Sequence, residues 1–269
     1  MVSTLNQGID ACVNWNDKVG EDFTYNLGFN ITFTKNKLRK TNELSNIEDY
    51  RKSIGQPTSA IFGWQSQGLF GKDVAIAGHP FQSFGNYQVG DIAYADLNND
   101  GMVDNNDQTR IGQSFPKTTL GVDVTLNYKG FGLYILGTAT TGVTQMLTST
   151  YYWNKGLDGY SVLAEERYHP VNNPTGTQPR LTTTSGVNNY RNSTFWTKNG
   201  SFFRLKNVEL SYTLNNNSKK GIGKNYKFFV RGANLFVLSG IKELDPEQML
   251  AGISNYPVYR TITGGVSIN

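Results

Sequence analysis

The residues of this sequence best suited to chemistry are the twelve from Asp96 to Asp107, DLNNDGMVDNND. Oxygen-bearing side chains fall at loop positions 1, 3, 5, 9 and 12 (Asp96, Asn98, Asp100, Asp104, Asp107), and Gly101 stands at position 6, where an EF-hand-type loop turns sharply. Position 7 supplies only a backbone carbonyl, which permits Met102. Hard oxygen donors in this order predict a Ca2+ site, with Asp104 ligating through a water and Asp107 closing the shell. Asp107 stands where such loops usually carry Glu, so its shorter arm predicts a weaker site. Asn, Asp and Gly are also ordinary turn formers, and a solvated acidic turn is the competing reading. No helical pattern flanks the loop, so the element expected is a calcium-stapled loop and not a helix-opening sensor.

Other chemistry has little material. The chain holds two histidines, His79 and His169, both in loop-like stretches, and a single cysteine, Cys12, in a strand pattern. A lone cysteine excludes a disulfide framework and a cysteine-based metal site. Glu165, Glu166 and Asp158 could supply a hydrolase carboxylate pair, but glutamates in such stretches are usually solvated. The expectation is that the chain is not an enzyme. A net charge of +4 with no basic stripe gives no reason to expect nucleic acid. No apolar run reaches the roughly 18 residues that suggest a spanning helix, and no signal peptide follows Met1.

The elements that must position the loop are strands. Ile9, Ala11, Val13 and Trp15 alternate with polar neighbours, and after a polar turn at 16–22 the alternation resumes with Phe23, Tyr25, Leu27, Phe29, Ile31 and Phe33. Leu120, Val122, Val124, Leu126 and Tyr128 form a further apolar face, Lys129-Gly130 reads as a tight turn, and Phe131, Leu133, Ile135, Gly137 and Ala139 carry the face back. Later strands are expected at Phe202 to Leu214, Asn225 to Leu238 and Tyr256 to Asn269, with less regular alternation. Segment 58–70 suggests additional β structure, and Tyr160 to Tyr168 a short helix.

Several of these runs have the length of about 9 to 11 residues that a tilted membrane strand needs. Their polar faces are rich in Thr, Asn and Gly rather than Lys and Glu, which suits a water-filled lumen. Trp15 with Phe23, and Tyr128 with Phe131, bracket the short turns where an interface girdle would lie. Short connections at 16–22 and 129–130 and a moderate one at 215–224 alternate with long ones at 35–116, 142–201 and 239–255, as in barrels with periplasmic turns and external loops. The fold class expected is all-β: strands of a large antiparallel transmembrane β-barrel with long extracellular loops, Asp96–Asp107 lying outside the cell. Seven strands with two open edges do not close a bacterial barrel, so a piece of something larger is expected.

Gly90-Asp91 ahead of Asp96–Gly101, then Ile111-Gly112, Tyr128–Phe131, Pro179-Arg180-Leu181, Asn199–Val208, Asn234-Leu235-Phe236 and Asp245-Pro246-Glu247 occur in an order that resembles the C-terminal third of SusC/RagA-type TonB-dependent outer-membrane transporters. The resemblance implies a plugged barrel of about 22 strands in the cell outer membrane. It also implies a SusD-like surface lipoprotein that delivers glycan or peptide fragments, and import energised by the TonB complex. Two departures stand out: the chain ends Val266-Ser267-Ile268-Asn269 without the family's usual terminal aromatic, and the plug domain and N-terminal strands are expected to lie elsewhere. The alternative is a secreted or surface calcium-binding, β-rich adhesion module. The loop aromatics Trp64, Tyr151, Tyr152, Trp153 and Trp196 read as loop packing or lid contact rather than direct sugar stacking.

Overall fold

The computed structural model describes residues 2–44, 46–156, 159–182, 188–215, 225–248 and 256–268. Its strands in chain order are β1 Ser3–Val19, β2 Phe23–Lys40, β3 Ala60–Trp64, β4 Ser66–Leu69, β5 Phe81–Gln82, β6 Ile92–Tyr94, β7 Met102–Val103 and β8 Gln108–Gln113. They continue with β9 Thr118–Tyr128, β10 Phe131–Thr141, β11 Thr144–Met146, β12 Thr197–Asn199, β13 Phe202–Asn215, β14 Asn225–Ser239 and β15 Thr261–Ile268. Seven of them form one antiparallel sheet in the order β1-β2-β9-β10-β13-β14-β15, each pairing with its neighbour in that order. No helix among the described residues is long and apolar enough to cross a membrane, which says nothing of crossing by strands.

The register aligns the apolar side chains into rows across the sheet. Trp15 lies opposite Leu27, Leu27 opposite Val124, Val124 opposite Ile135, and Ile135 opposite Val208. A second row at the short-turn end is aromatic: Phe23, Tyr128, Phe131, Tyr212 and Phe228 are successive partners, and the Phe131 and Tyr212 rings lie 4.5 Å apart. Because side chains alternate along a strand, the other face carries Asn26, Asp123, Thr125, Asn127 and Tyr134. It also holds a charged cluster in which Glu209 accepts from Lys227 at 2.6 Å and from Arg231.

The structure corrects several boundaries. β1 starts at Ser3 and runs to Val19, so the first turn is 20–22 rather than 16–22, and Val19, not Trp15, lies opposite Phe23. Polar Asp17 hides this extension; it sits on the apolar face opposite Tyr25, whose hydroxyl donates to it at 3.3 Å. Lys129 (φ 44°) and Gly130 (φ 86°) both adopt left-handed backbone, the geometry of a two-residue hairpin turn. The irregular alternation late in the chain is a bulge. The pairing of β13 with both β10 and β14 skips Lys206, so Phe203 and Leu205 share a face with Val208 and Leu210. The last strand is shorter than expected, beginning at Thr261. The helix expected over Tyr160 to Tyr168 is a single 3-10 turn, Val162–Glu166, and segment 58–70 does form β3 and β4. The turn expected at 215–224 lies almost wholly outside the described residues, as do Asp158 and Asn269.

The hydrophobic core does not lie under the sheet. Trp64, Leu69, Phe84, Ile92, Tyr94, Val103, Leu147, Tyr152, Tyr168, Trp196 and Ile241 form one buried cluster, and all come from the long connections. These connections leave the same end of the sheet, so they pack over it as a cap, whereas Val13, Phe29, Val122 and Val230 on the sheet itself stay exposed.

Candidate functional site

The Asp96–Asp107 loop leaves the fully buried strand β6 and ends in the 3-10 turn Asn105–Asp107. Asp96 accepts from the backbone of Asn99 at 2.7 Å and of Gly101 at 2.9 Å; Asn98 accepts from Asp100 N–H at 3.0 Å, and Asp100 from Met102 N–H at 2.9 Å. Side chains folded onto the amides ahead of them hold the turn without help from a helix. Asp107 is fully buried and works from inside: one oxygen accepts from Leu97 N–H at 2.7 Å and the other from Asp104 N–H at 2.8 Å. Asp104 accepts in return from Asn106 N–H at 2.6 Å, a reciprocal cap on the short turn. Asp96 and Asp100 thus belong to the outward half of the loop, and Asp107 to its packed base. Among the described residues, no three His, Cys, Asp or Glu side chains are gathered as a metal-holding group. The chemistry of the donors still fits a hard cation, because a carboxylate oxygen that accepts one amide keeps a second lone pair.

Beneath this loop lies a buried polar network that sequence reasoning did not foresee. Asp91 accepts from Asn189 Nδ2 at 2.8 Å, from Gln88 N–H at 2.8 Å and from Arg180 Nη2 at 3.1 Å, and Arg180 Nε lies 2.8 Å away as an ion pair. Asn189 in turn accepts from Ile92 N–H, and Asn188 donates to the Ile92 carbonyl. Gln82 joins both loops, donating to Asn188 Oδ1 at 2.6 Å and accepting from Tyr94 N–H at 2.7 Å. The Tyr94 phenol, pushed well up by burial, stays a neutral donor and donates to the Asn188 carbonyl at 2.8 Å. Each such bond satisfies a group that would otherwise be buried without a partner, so the network fixes loop 41–117 against loop 142–201. Gly90 sits at φ 91°, and a Cβ there would stand 2.9 Å from the Tyr168 ring and 3.1 Å from Arg180, so the close approach needs a glycine.

The short motifs quoted from the sequence meet in pairs. Gly90-Asp91 meets Pro179-Arg180-Leu181 through the Asp91–Arg180 ion pair. Arg204, on the Asn199–Val208 stretch, donates to both oxygens of Asp245 at 2.7 Å, and Lys206 reaches Glu247 at 2.9 Å. Trp64, Tyr152 and Trp196 are buried in the cap and Tyr151 and Trp153 pack against it, which makes them packing residues. His79 bonds Gln67 and the Pro80 carbonyl, and His169 accepts from the backbone of Val171 and Asn172, so both are engaged within loops.

No family model matches the sequence. It is 31% identical over 196 residues, 67% of this chain, to TonB-dependent receptor P26 of Formosa agariphila. It is 25% identical over 272 residues, 97% of this chain, to TonB-dependent receptor SusC of Bacteroides thetaiotaomicron. The sheet and cap superpose on the structure of the RagAB peptide transporter with a TM-score of 0.72 at 18% identity, covering 98% of this chain and 29% of that one. This chain is a relative of the SusC/RagA-type TonB-dependent receptors. It spans only 20% and 26% of the length of the two curated relatives. These relatives are receptors rather than enzymes. The sheet has the fold of a barrel segment.

Proposed function

We propose that the chain forms the C-terminal wall and part of the external cap of an outer-membrane importer that takes up glycan or peptide fragments. The observation that carries this reading is the pairing of one continuous apolar face across seven strands with a well-packed cap at the long-loop end. A sheet of that design needs lipid on one side and a polar lumen on the other. Among the described residues, β1 and β15 each have a neighbour on one side only, so further strands would complete the wall. A SusD-like lipoprotein resting on the cap and a plug coupled to the TonB complex would supply capture and energy. In cells lacking the parent transporter, this chain expressed alone should give no growth on the cognate nutrient, while co-expression with the remaining strands and plug should restore it. Uptake by the chain alone would sink the reading.

Calcium at the external loop is the second part of the proposal. Asp96, Asn98, Asp100, the Met102 carbonyl, Asp104 and Asp107 would hold the ion, which would add a structural clamp to the cap. Asp107 already secures two amides, so its removal would loosen the loop with or without metal. Asp100→Ala is the cleaner change, since it removes an outward ligand and leaves the Asp107 base in place. Calcium is expected to slow protease cleavage at 96–107 in the intact receptor and to lose most of that effect in Asp100→Ala. Equal protection in both proteins would rule the site out.

A further inference from the structure

We infer that the receptor carries a binding site for a phosphate-bearing lipid headgroup on its outer rim, formed by Lys35, Lys37 and Arg110 around a cavity of ≈ 290 Å³. This rests on the lipid-facing reading of the sheet. From Phe23 to Phe33 the apolar face of β2 rises about 33 Å along the strand, or roughly 24 Å of membrane at a tilt near 45°, which matches the apolar band of an outer-membrane barrel. Alternation then places Lys35 and Lys37 on that same lipid-facing side, just beyond the band and at the long-loop end.

The charges there are uncompensated. Arg110 is held by neutral oxygens only, donating to Gln56 Oε1 at 3.0 Å, Gln113 Oε1 at 3.1 Å and the Gly112 carbonyl at 3.4 Å. Among the described residues, no carboxylate forms an ion pair with Lys35, Lys37, Arg110 or Lys117, which lies at the cavity's edge. The same cavity is lined by two aromatic rings left open, Phe33 at 43% and Phe115 at 68% of full exposure. A soluble anion has no use for these rings. A lipid headgroup satisfies both features, placing its phosphate among the cations and the root of its acyl chains against Phe33 and Phe115.

The test uses the intact receptor, purified in neutral detergent and doped with a phosphorylated glycolipid, with lipid retained per receptor counted by native mass spectrometry. The triple change Lys35→Gln, Lys37→Gln and Arg110→Gln is expected to lower retention by about tenfold or more, whereas Lys129→Gln at the opposite rim leaves it unchanged. Heat-modifiable gel mobility reports the folded barrel separately, so loss of the barrel is distinguished from loss of the site. A second measurement needs no variant: the dephosphorylated glycolipid should be retained as poorly by the wild type as the phosphorylated one is by the triple variant. Equal retention by wild type and triple variant overturns the inference. So does displacement of the lipid by millimolar inorganic phosphate, which would mark a site for a soluble anion.

Discussion

Val124→Arg is expected to destabilise the assembled barrel by about 2 to 4 kcal/mol, while Thr125→Arg, one residue along, costs much less. Val124 stands near the middle of β9 in the row Trp15, Leu27, Val124, Ile135 and Val208, every member of which would face hydrocarbon. A guanidinium there has no partner and no water within reach. Thr125 points to the polar face, where Asn26 and Tyr134 are its cross-strand partners and Glu209 lies opposite Tyr134. The comparison is read as the fraction of receptor running as folded barrel on unheated gels across a urea series. Equal losses from the two changes would contradict the lipid-facing assignment.

Asp91→Leu is expected to give the second large effect, confined to the cap. It would strand the Arg180 guanidinium, the Asn189 amide and the Gln88 N–H around a site that is only 1% exposed. Breaking a buried ion pair by removing one partner costs about 3 to 5 kcal/mol, and the lower end applies because Arg180 keeps partial access to water. Asp91→Asn, which keeps one acceptor oxygen, should cost less. Limited proteolysis of the receptor in membranes should show faster cutting within 41–117 and 142–201 for Asp91→Leu, with the strands still protected. Unchanged cutting would mean that the network does not hold the loops together.

The sheet was legible in the sequence because strand alternation is a local property: residues two apart share a face, and no knowledge of distant contacts is needed. Legibility failed where the period was broken. Asp17 interrupts the apolar face of β1 and hides that strand's full extent, and the bulge at Lys206 shifts the parity of β13, so its alternation reads as irregular although its extent was legible. The Asp96–Asp107 loop was also visible as a local spacing. The network beneath it was not: Asp91 and Arg180 are 89 positions apart, Gln82 and Asn188 are 106 apart, and nothing in local periodicity says which loop meets which. The motifs holding Asp91 and Arg180 were recognisable one by one, but only the fold brings them together.

That separation has a kinetic consequence. Bringing residues about 100 positions apart into contact in an open chain carries a loop-closure entropy cost that grows with the logarithm of the span. The pairing of β2 with β9, β9 with β10 and β10 with β13 largely removes it, because the ends of both long loops are then anchored on neighbouring strands. Contacts such as Asp91–Arg180 become short-range in effect once the wall exists. The cap should therefore order after the strands, and in a refolding time course amide protection at Ile92 and Tyr94 should lag behind protection in β9 and β10.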